Sequence, residues 1–481
     1  MNDEANRPMF GIFSRLPVQV ACVVVMWAML YLVNAGGPEL HGEEGSRALQ
    51  ARSMLEGGHW LVPELCGQRY ILKPPLLPWL MAGAAFVTGG LNEWAVRLPS
   101  LLATLATAFV VFLWVRHEAT DGAGLFAAAA FLLMPVMFEK GSLGETDAIV
   151  MCCSFVAFAV WWGGVRAGRV APWRWLAAGL VMGTGVMAKG PPALLFFAPA
   201  VLVLILRRGR YTELLGLLAC TAVALAGVTA WALAAKSGGD VDAWRREMLQ
   251  PRAFVLVDYL KNHAAAVAGA AAGTLPWIAL AVLLFGRRPQ DARTARGTGA
   301  ALLVYCIAGS ALLLLSPRVS ARYLLPAVPA VAVAAGLVFG RLQDSAPKRV
   351  RLLTTIAAVI VVGRVVFLLA YVPYDAAHGS EVRRAARVLN AVTEDGPVYV
   401  IPGTGHNVVF YINRPCISVD VGELPRLTGG IVLLNERKSA DAVDAVPGVL
   451  LQPLVRTEVS RKNALLAARV VAGEQPAHSQ Q

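Results

Sequence analysis

The residues able to do acid–base and phosphate chemistry are few, and they gather in short polar stretches between long apolar runs. His41-Gly42-Glu43-Glu44-Gly45 sets two carboxylates side by side, and Gly144-Glu145-Thr146-Asp147 supplies more. A carboxylate can take a proton from an attacking hydroxyl. The cations lie in similar stretches. Lys73 ends Gln68-Arg69-Tyr70-Ile71-Leu72-Lys73 and is followed by Pro74-Pro75, and Lys189 stands in Ala188-Lys189-Gly190-Pro191-Pro192. Ser316-Pro317-Arg318-Val319-Ser320-Ala321-Arg322-Tyr323 adds two more, and Arg245, Arg246 and Arg252 lie in another polar stretch. Cations stabilise a phosphate leaving group as charge develops on it. Carboxylates and cations together at the edges of apolar runs are the equipment for handling a phosphate attached to a lipid. Each group also has a plainer role. Glu43 and Glu44 read as solvated loop glutamates, Asp147 as a helix cap, Lys73 as a snorkelling side chain. The turn at Lys189 needs Gly and Pro for its own shape.

The elements that must position these groups are membrane helices. Of 481 residues, 57% are hydrophobic and 15% charged, against about 45–50% and about 25% in soluble domains. Runs long enough to span fall near 16–34, 98–115, 123–139, 148–165, 174–188, 191–206, 213–235, 264–285, 298–315, 322–340 and 352–372. The run 74–87 is short and rich in proline, and reads as a membrane-surface or re-entrant helix. The net charge of +12 comes from arginines between apolar runs, which points to a membrane and away from nucleic acid. Alternate loops are basic: Arg7/Arg15, Arg116, Arg166/Arg169/Arg174, Arg207/Arg208/Arg210, Arg287/Arg288/Arg293/Arg296 and Arg341/Lys348/Arg349/Arg351. By the positive-inside rule these face the cytoplasm. Eleven spans with an inside N-terminus keep the alternation, and put Glu43, Glu44, Lys73, Glu145, Asp147, Lys189, Arg245, Arg246, Arg252, Arg318 and Arg322 on the outer side. The first apolar run is too long for a signal-peptide core and lacks a cleavage site after it, so it reads as an uncleaved span.

The tail differs. From about residue 376 it reads as a small α/β domain, with 380–392 helix-like and 398–401 and 431–434 as short strands flanked by Gly and Pro. Glu474 onward reads as disordered. The expected organisation is therefore an α-helical polytopic membrane domain, 1–375, with a first outer loop at 35–97, and a periplasmic α/β domain, 376–481. Cys22, Cys152, Cys153, Cys220 and Cys306 lie in apolar runs, where Cys acts as a small hydrophobe. Cys66 and Cys416 lie outside them. A disulfide between these two is one reading, and two free thiols is the favoured one. No Cys/His metal spacing exists, and no internal repeat is visible.

Taken in order, the polar stretches resemble the dolichyl-phosphate-mannose protein mannosyltransferase superfamily, and within it the bacterial branch that includes the aminoarabinose transferases of lipid A. The resemblance covers about 36–200 well and 200–340 loosely. It rests on the acidic pair after the first span and Met54-Leu55-Glu56-Gly57-Gly58-His59-Trp60-Leu61-Val62-Pro63. Then come Gly67-Gln68-Arg69-Tyr70-Ile71-Leu72-Lys73-Pro74-Pro75, Trp94-Ala95-Val96-Arg97-Leu98-Pro99-Ser100, Lys189-Gly190-Pro191 and Arg322-Tyr323-Leu324-Leu325-Pro326. The resemblance implies a GT-C fold, a polyprenyl-phosphate-linked sugar donor and inversion at the anomeric carbon. It puts the essential first-loop acid on Glu43 with Glu44 as neighbour, a second acid on Asp147, and the phosphate-binding cations on Lys73, Lys189 and Arg322. The family's usual acidic pair is Asp-Glu, whereas this chain has Glu-Glu. The lipid A branch has a metal-binding Glu just before the first-loop lysine. This chain has Leu72 there, so no metal is carried over.

The expected function is transfer of a sugar from undecaprenyl phosphate to lipid A or a related periplasmic glycolipid, in the bacterial inner membrane. The same chemistry with a protein hydroxyl as acceptor is the alternative. A transporter or lipid flippase is the rival of another class. It accounts less well for ionisable residues gathered at one face and for the lack of a repeat.

Overall fold

The computed structural model describes residues 15–235, 255–286, 293–313, 315–316, 319–392, 396–412, 414–427, 429–439, 446–447, 449–460 and 463–472. Arg7, Arg245, Arg246, Arg252, Arg287, Arg288, Pro317, Arg318 and the tail from Glu474 lie outside the described residues. In chain order the helices are α1 (Leu16–Trp27), α2 (Glu44–Gly57), α3 (Leu76–Thr88), α4 (Glu93–Glu118), α5 (Asp121–Leu132), α6 (Pro135–Lys140), α7 (Thr146–Arg166), α8 (Pro172–Lys189) and α9 (Phe197–Arg207). They continue as α10 (Glu213–Ala235), α11 (Leu256–Gly273), α12 (Trp277–Gly286), α13 (Arg293–Leu313), α14 (Val328–Ser345), α15 (Pro347–Val366), α16 (Val372–His378), α17 (Glu381–Val392) and α18 (His406–Phe410). The strands are β1 (Glu64–Leu65), β2 (Gln68–Arg69), β3 (Val398–Val400), β4 (Cys416–Ser418), β5 (Ile431–Asn435), β6 (Val449–Ser460) and β7 (Asn463–Ala472).

The chain divides into two compact units. One holds the chain up to Ala35, Leu72–Leu77 and Arg97–Ala370; the other holds Gly36–Ile71, Pro78–Val96 and the chain from Tyr371. Most of the expected loop 35–97, apart from Leu72–Leu77 and its two end residues, thus groups with the C-terminal part of the chain rather than with the helical body.

The first unit is helical. Among the described residues, five helical segments are long and apolar enough to cross a membrane: Glu93–Glu118, Thr146–Arg166, Glu213–Ala235, Ala321–Ser345 and Pro347–Ala391. Shorter apolar helices join them, and each of the eleven expected spans overlaps one or two of the described helices, with 123–139 divided at Leu133–Met134 and 264–285 divided at Thr274–Pro276. The chain is a polytopic membrane protein. The run at 74–87 forms α3, whose 13 residues reach about 20 Å at 1.5 Å per residue, short of a hydrocarbon core of about 30 Å. The largely aliphatic core of this unit holds an aromatic cluster. The ring of Tyr305 is surrounded by Phe158, Phe155 and Phe196 at centroid distances of 4.6, 6.0 and 5.8 Å. Its hydroxyl is buried and is satisfied by Ser154 Oγ at 2.9 Å, as a polar group in an apolar core must be. Trp27 Nε1 and Tyr31 Oη on the first span donate to the carbonyls of Leu101 and Leu132.

The second unit carries a five-stranded sheet in the order β4-β3-β5-β7-β6. β3 pairs in parallel with β4 and β5, while β7 is antiparallel to β5 and β6. The expected helix and two strands appear as α17, β3 and β5, and the structure adds β4 and the long β6–β7 hairpin. β1 and β2 form a tight hairpin whose two turn residues, Cys66 and Gly67, both have positive φ (52° and 75°), the pattern of a type I′ turn. That turn seats on edge strand β4: Ser418 N donates to Cys66 O at 2.6 Å, and Gln68 Nε2 donates to Ser418 O at 3.3 Å. Such cover blunts an edge that would otherwise expose unpaired backbone groups.

Two further ties fix the acidic loop within this unit. Gly45 N donates to Asn407 Oδ1 at 2.8 Å, and Leu40 N donates to Tyr411 Oη at 3.0 Å. α18 approaches α2 so closely that a Cβ on Gly45 would lie 2.6 Å from the backbone N and Cα of Asn407. Backbone cannot move aside as a side-chain tip can. Gly45→Ala is therefore expected to cost about 1–3 kcal/mol, the usual penalty for overpacking, read as a lower midpoint in thermal unfolding of the detergent-purified protein.

Candidate active site

Asp147 and Lys189 come together, as residues 42 positions apart on neighbouring helices. Asp147 sits in the first turn of α7 and is buried, with 4% of its side chain exposed. Lys189 ends α8 and pairs with Asp147 Oδ1. The capping role open to Asp147 in the sequence is not what the structure has: the cap position is Glu145, and Asp147 lies two residues inside the helix. α8 can stop at Lys189 because Gly190 takes φ 86° and ψ −171°, a conformation open essentially to glycine alone. Pro191 then starts a 3-10 turn, Pro191–Leu195. The ring of Tyr323, in the 3-10 segment Ala321–Ala327, lies 5.0 Å from Lys189 Nζ and 5.5 Å from Arg322 Cζ. Lys189 and Arg322, two of the expected phosphate-binding cations, thus both lie against the Tyr323 ring. Lys73 is half-buried in the Leu72–Leu77 segment of the same unit.

A second ion pair lies at the start of α7. Lys140 Nζ is 3.1 Å from Glu145 Oε2 and 3.1 Å from Glu139 Oε1. Burial works against the Lys140 charge, but the two carboxylates outweigh it and hold its pKa above the ordinary lysine value. Ser100 Oγ donates to Glu145 O at 3.1 Å and Thr104 Oγ1 donates to Gly141 O at 2.8 Å, so α4 pins both ends of this loop. Sequence reading flagged Glu145 only as part of a loop and passed over Lys140. The available signal was their spacing, five residues apart in a stretch where positive charge is otherwise rare.

Glu43 and Glu44 stand in the other unit, and the structure gives them different surroundings. Glu43 immediately precedes α2 and keeps 30% of its side chain exposed, with Oε2 3.0 Å from Arg47 Nη2. Arg47 is buried and lies 5.3 Å from the Tyr70 ring centroid. Burial pulls the Arg47 pKa down, and Tyr70 and Glu43 together more than restore it. Glu44 is fully buried, and its Oε2 accepts from His41 N at 3.0 Å. Glu43 therefore offers a carboxylate to solvent or ligand, and Glu44 holds the loop's shape. Arg47, one turn after Glu43, carries no role in the sequence reading of this loop, although its i,i+4 spacing from Glu43 was the signal. Among the described residues, no group of three or more His, Cys, Asp or Glu side chains is arranged to hold a metal ion.

Two outcomes follow. Lys189→Ala leaves the buried Asp147 charge without this partner, which should cost about 3–5 kcal/mol. The double variant Asp147→Ala/Lys189→Ala should lose less, and comparing unfolding midpoints of the two variants checks this. His406, in α18, has its pKa lowered, first by burial and then by the nearby Arg47 charge. The folded protein then binds this proton less readily than the unfolded chain, whose histidine titrates near pH of about 6.5. Stability contributed by the neutral form is present above that pH and falls as pH drops through it toward the folded value. His406→Gln should flatten that part of a melting-temperature-versus-pH curve.

Residues 72–233 match the family model of the dolichyl-phosphate-mannose-protein mannosyltransferases, a stretch that contains Lys73, Asp147 and Lys189. An undecaprenyl phosphate-alpha-4-amino-4-deoxy-L-arabinose arabinosyl transferase of Sodalis glossinidius is 31% identical over 276 residues, 54% of this chain and 48% of that protein. The transferase of the same description from Pectobacterium atrosepticum is 29% identical over 292 residues, 56% of this chain and 49% of that protein. The chain spans about half the length of the curated relatives it matches. Among solved structures, ArnT from Cupriavidus metallidurans bound to undecaprenyl phosphate superposes with a TM-score of 0.72 at 16% identity, covering 96% of this chain and 98% of that one. The oligosaccharyltransferase of Archaeoglobus fulgidus in its apo form superposes at 0.53 with 13% identity, covering 90% of this chain and 71% of that one. The chain has the GT-C fold of these membrane transferases, and in sequence it is similar to the dolichyl-phosphate-mannose-protein mannosyltransferase superfamily on its aminoarabinose transferase side.

Proposed function

We propose that this protein is an inverting membrane glycosyltransferase that moves a sugar from a polyprenyl-phosphate-linked donor to lipid A or a related glycolipid. The observation that carries the reading is the match over 72–233, because the expected phosphate-binding lysines Lys73 and Lys189 and the acid Asp147 all fall inside it. The similar relatives are described as undecaprenyl-phosphate-dependent arabinosyl transferases, which supports an undecaprenyl-linked pentose as donor. The loop-charge alternation supports an inside N-terminus, eleven spans, a bacterial inner-membrane location and a periplasmic C-terminal domain beginning near residue 376.

In this reading the acceptor oxygen attacks the anomeric carbon from the face opposite the phosphate, and the bond from that carbon to the phosphate oxygen breaks. The phosphate leaves with the electron pair. Lys73, Lys189 and Arg322 stabilise the charge it gains. Lys189 waits against Asp147, so its charge is balanced before donor arrives. Glu43 takes the proton of an acceptor hydroxyl, with Arg47 fixing one of its oxygens. A phosphate acceptor is already an anion near neutral pH, and Glu43 then only orients it. The family model's own description, a protein mannosyltransferase, favours a protein hydroxyl as the second reading.

The deciding experiment is mass spectrometry of lipid A, glycolipids and glycoproteins from cells with and without the protein. A pentose missing from lipid A in the deletion supports the first reading, a sugar missing from protein the second, and no change in any class overturns both. In a purified assay, Glu43→Gln should cut turnover about 10²–10⁴-fold with a hydroxyl acceptor, and less with a phosphate acceptor. Glu44→Gln should lower the melting temperature more than the turnover. Lys73→Ala should weaken donor binding in a folded protein.

A further inference from the structure

Cys66 and Cys416 are 350 residues apart in sequence, yet both line one cavity of about 630 Å³ within the second unit. Cys66 is at the β1–β2 turn and Cys416 opens β4. Ser418 N donates to Cys66 O at 2.6 Å, which lays the turn along β4 two residues from Cys416. Residues two apart in a strand face the same side, so Cys416 and Ser418 present their side chains to the same face of β4. The two thiols also pack on one apolar cluster. The structure has both reduced, and the remaining five cysteines lie in the apolar helical runs. We propose that Cys66 and Cys416 are a redox pair that closes into a disulfide, joining the β1–β2 turn to the edge of the C-terminal sheet.

The surroundings set the order of events. Burial pushes the Cys66 thiol up to about 12 and the Cys416 thiol up to about 11. The Arg52 guanidinium beside both works the other way and favours thiolate. Cys416 is the more exposed of the two and is the attacking sulfur. Its thiolate attacks a small-molecule or protein disulfide, forming a mixed disulfide and releasing one thiolate of the oxidant. Cys66 then loses its proton and attacks the Cys416 sulfur, releasing the second oxidant thiol. Two protein thiols are oxidised to one disulfide, and the oxidant's disulfide is reduced to two thiols. A compartment that supplies such an oxidant lies outside the cytoplasm, so closure in cells rests on the outer-side placement proposed above, whereas closure in the purified protein does not.

The test uses full-length protein purified in detergent and treated with oxidised glutathione. Thiol titration after denaturation should fall from the seven of the reduced chain to five, and a non-reducing digest should yield a linked peptide pair containing Cys66 and Cys416. Cys66→Ser and Cys416→Ser should each abolish that linked pair. If oxidation leaves seven thiols, stops at a glutathione adduct, or links other cysteines, the proposal is overturned. The wild-type peptide map alone decides this if either variant fails to fold. Cells alkylated at harvest separate the two readings. A linked pair in cells supports both. A pair that forms only in the purified protein supports the redox pair and overturns the outer-side placement.

Discussion

A buried carboxylate sets the terms for the helical unit. Asp147 is in the first turn of α7, almost wholly out of solvent, and an unpaired charge there would cost several kcal/mol. The pairing with Lys189 is what makes the position tenable, and it imposes conditions on everything nearby. α8 must end at Lys189, which requires the glycine conformation at Gly190. The start of α7 must be held, which Ser100 and Thr104 on α4 do through the carbonyls of Glu145 and Gly141. The segment Ala321–Ala327 must bring Tyr323 against the lysine. A charge pair with low exposure therefore organises α4, α7, α8 and that segment around a single point.

The second unit is stitched by polar contacts between distant parts of the sequence. Arg383 of α17 pairs with Glu93 and donates to Gly37 O at 2.8 Å, and its own backbone N donates to Glu39 Oε2 at 3.1 Å. Tyr411 Oη donates to Glu93 Oε1 at 2.8 Å. Burial and the Glu93 carboxylate both push the Tyr411 hydroxyl above its ordinary range, so it remains a donor throughout physiological pH. Residues 37–40, Glu93, α17 and α18 are thereby held as one knot. The acidic loop takes its shape from that knot and from Asn407 as well as from its own Glu44–His41 contact.

How much of this could be read in advance follows from the range of each interaction. The helices were legible because each span carries its own apolar run, and α17, β3 and β5 because each shows a local pattern. β6 and β7 were not. Pro453 and several polar residues break up the apolar pattern of β6, and the strand accommodates them with a register shift between Pro453 and Val455. β7, rich in Ala and Leu, has helix-leaning propensities that strand pairing overrides. Within the candidate site, ordered motifs picked out Asp147, Lys189 and Arg322, but no local rule joins positions 147 and 189. The loop's ties to Asn407 and Tyr411 were likewise hidden, because those residues come from the far end of the chain.

The pairing of Lys189 with an acid has a further physical meaning on the proposed reading. A lysine kept for a phosphate faces a cost in both states. Unpaired in a partly buried site, its charge is unsolvated, and paired too well it resists exchange. Asp147 is held on the rigid start of a helix, whereas Lys189 reaches it along a flexible four-carbon stem from a helix end. The lysine can turn from carboxylate to phosphate without backbone movement, and the Tyr323 ring can keep contact with the ammonium on either side of that exchange. An arginine at 189 would bind Asp147 through a planar fork of donors and give it up less readily. On that reading the site favours a compact, re-orientable cation at position 189 and leaves the guanidinium to Arg322, which lies against the same ring.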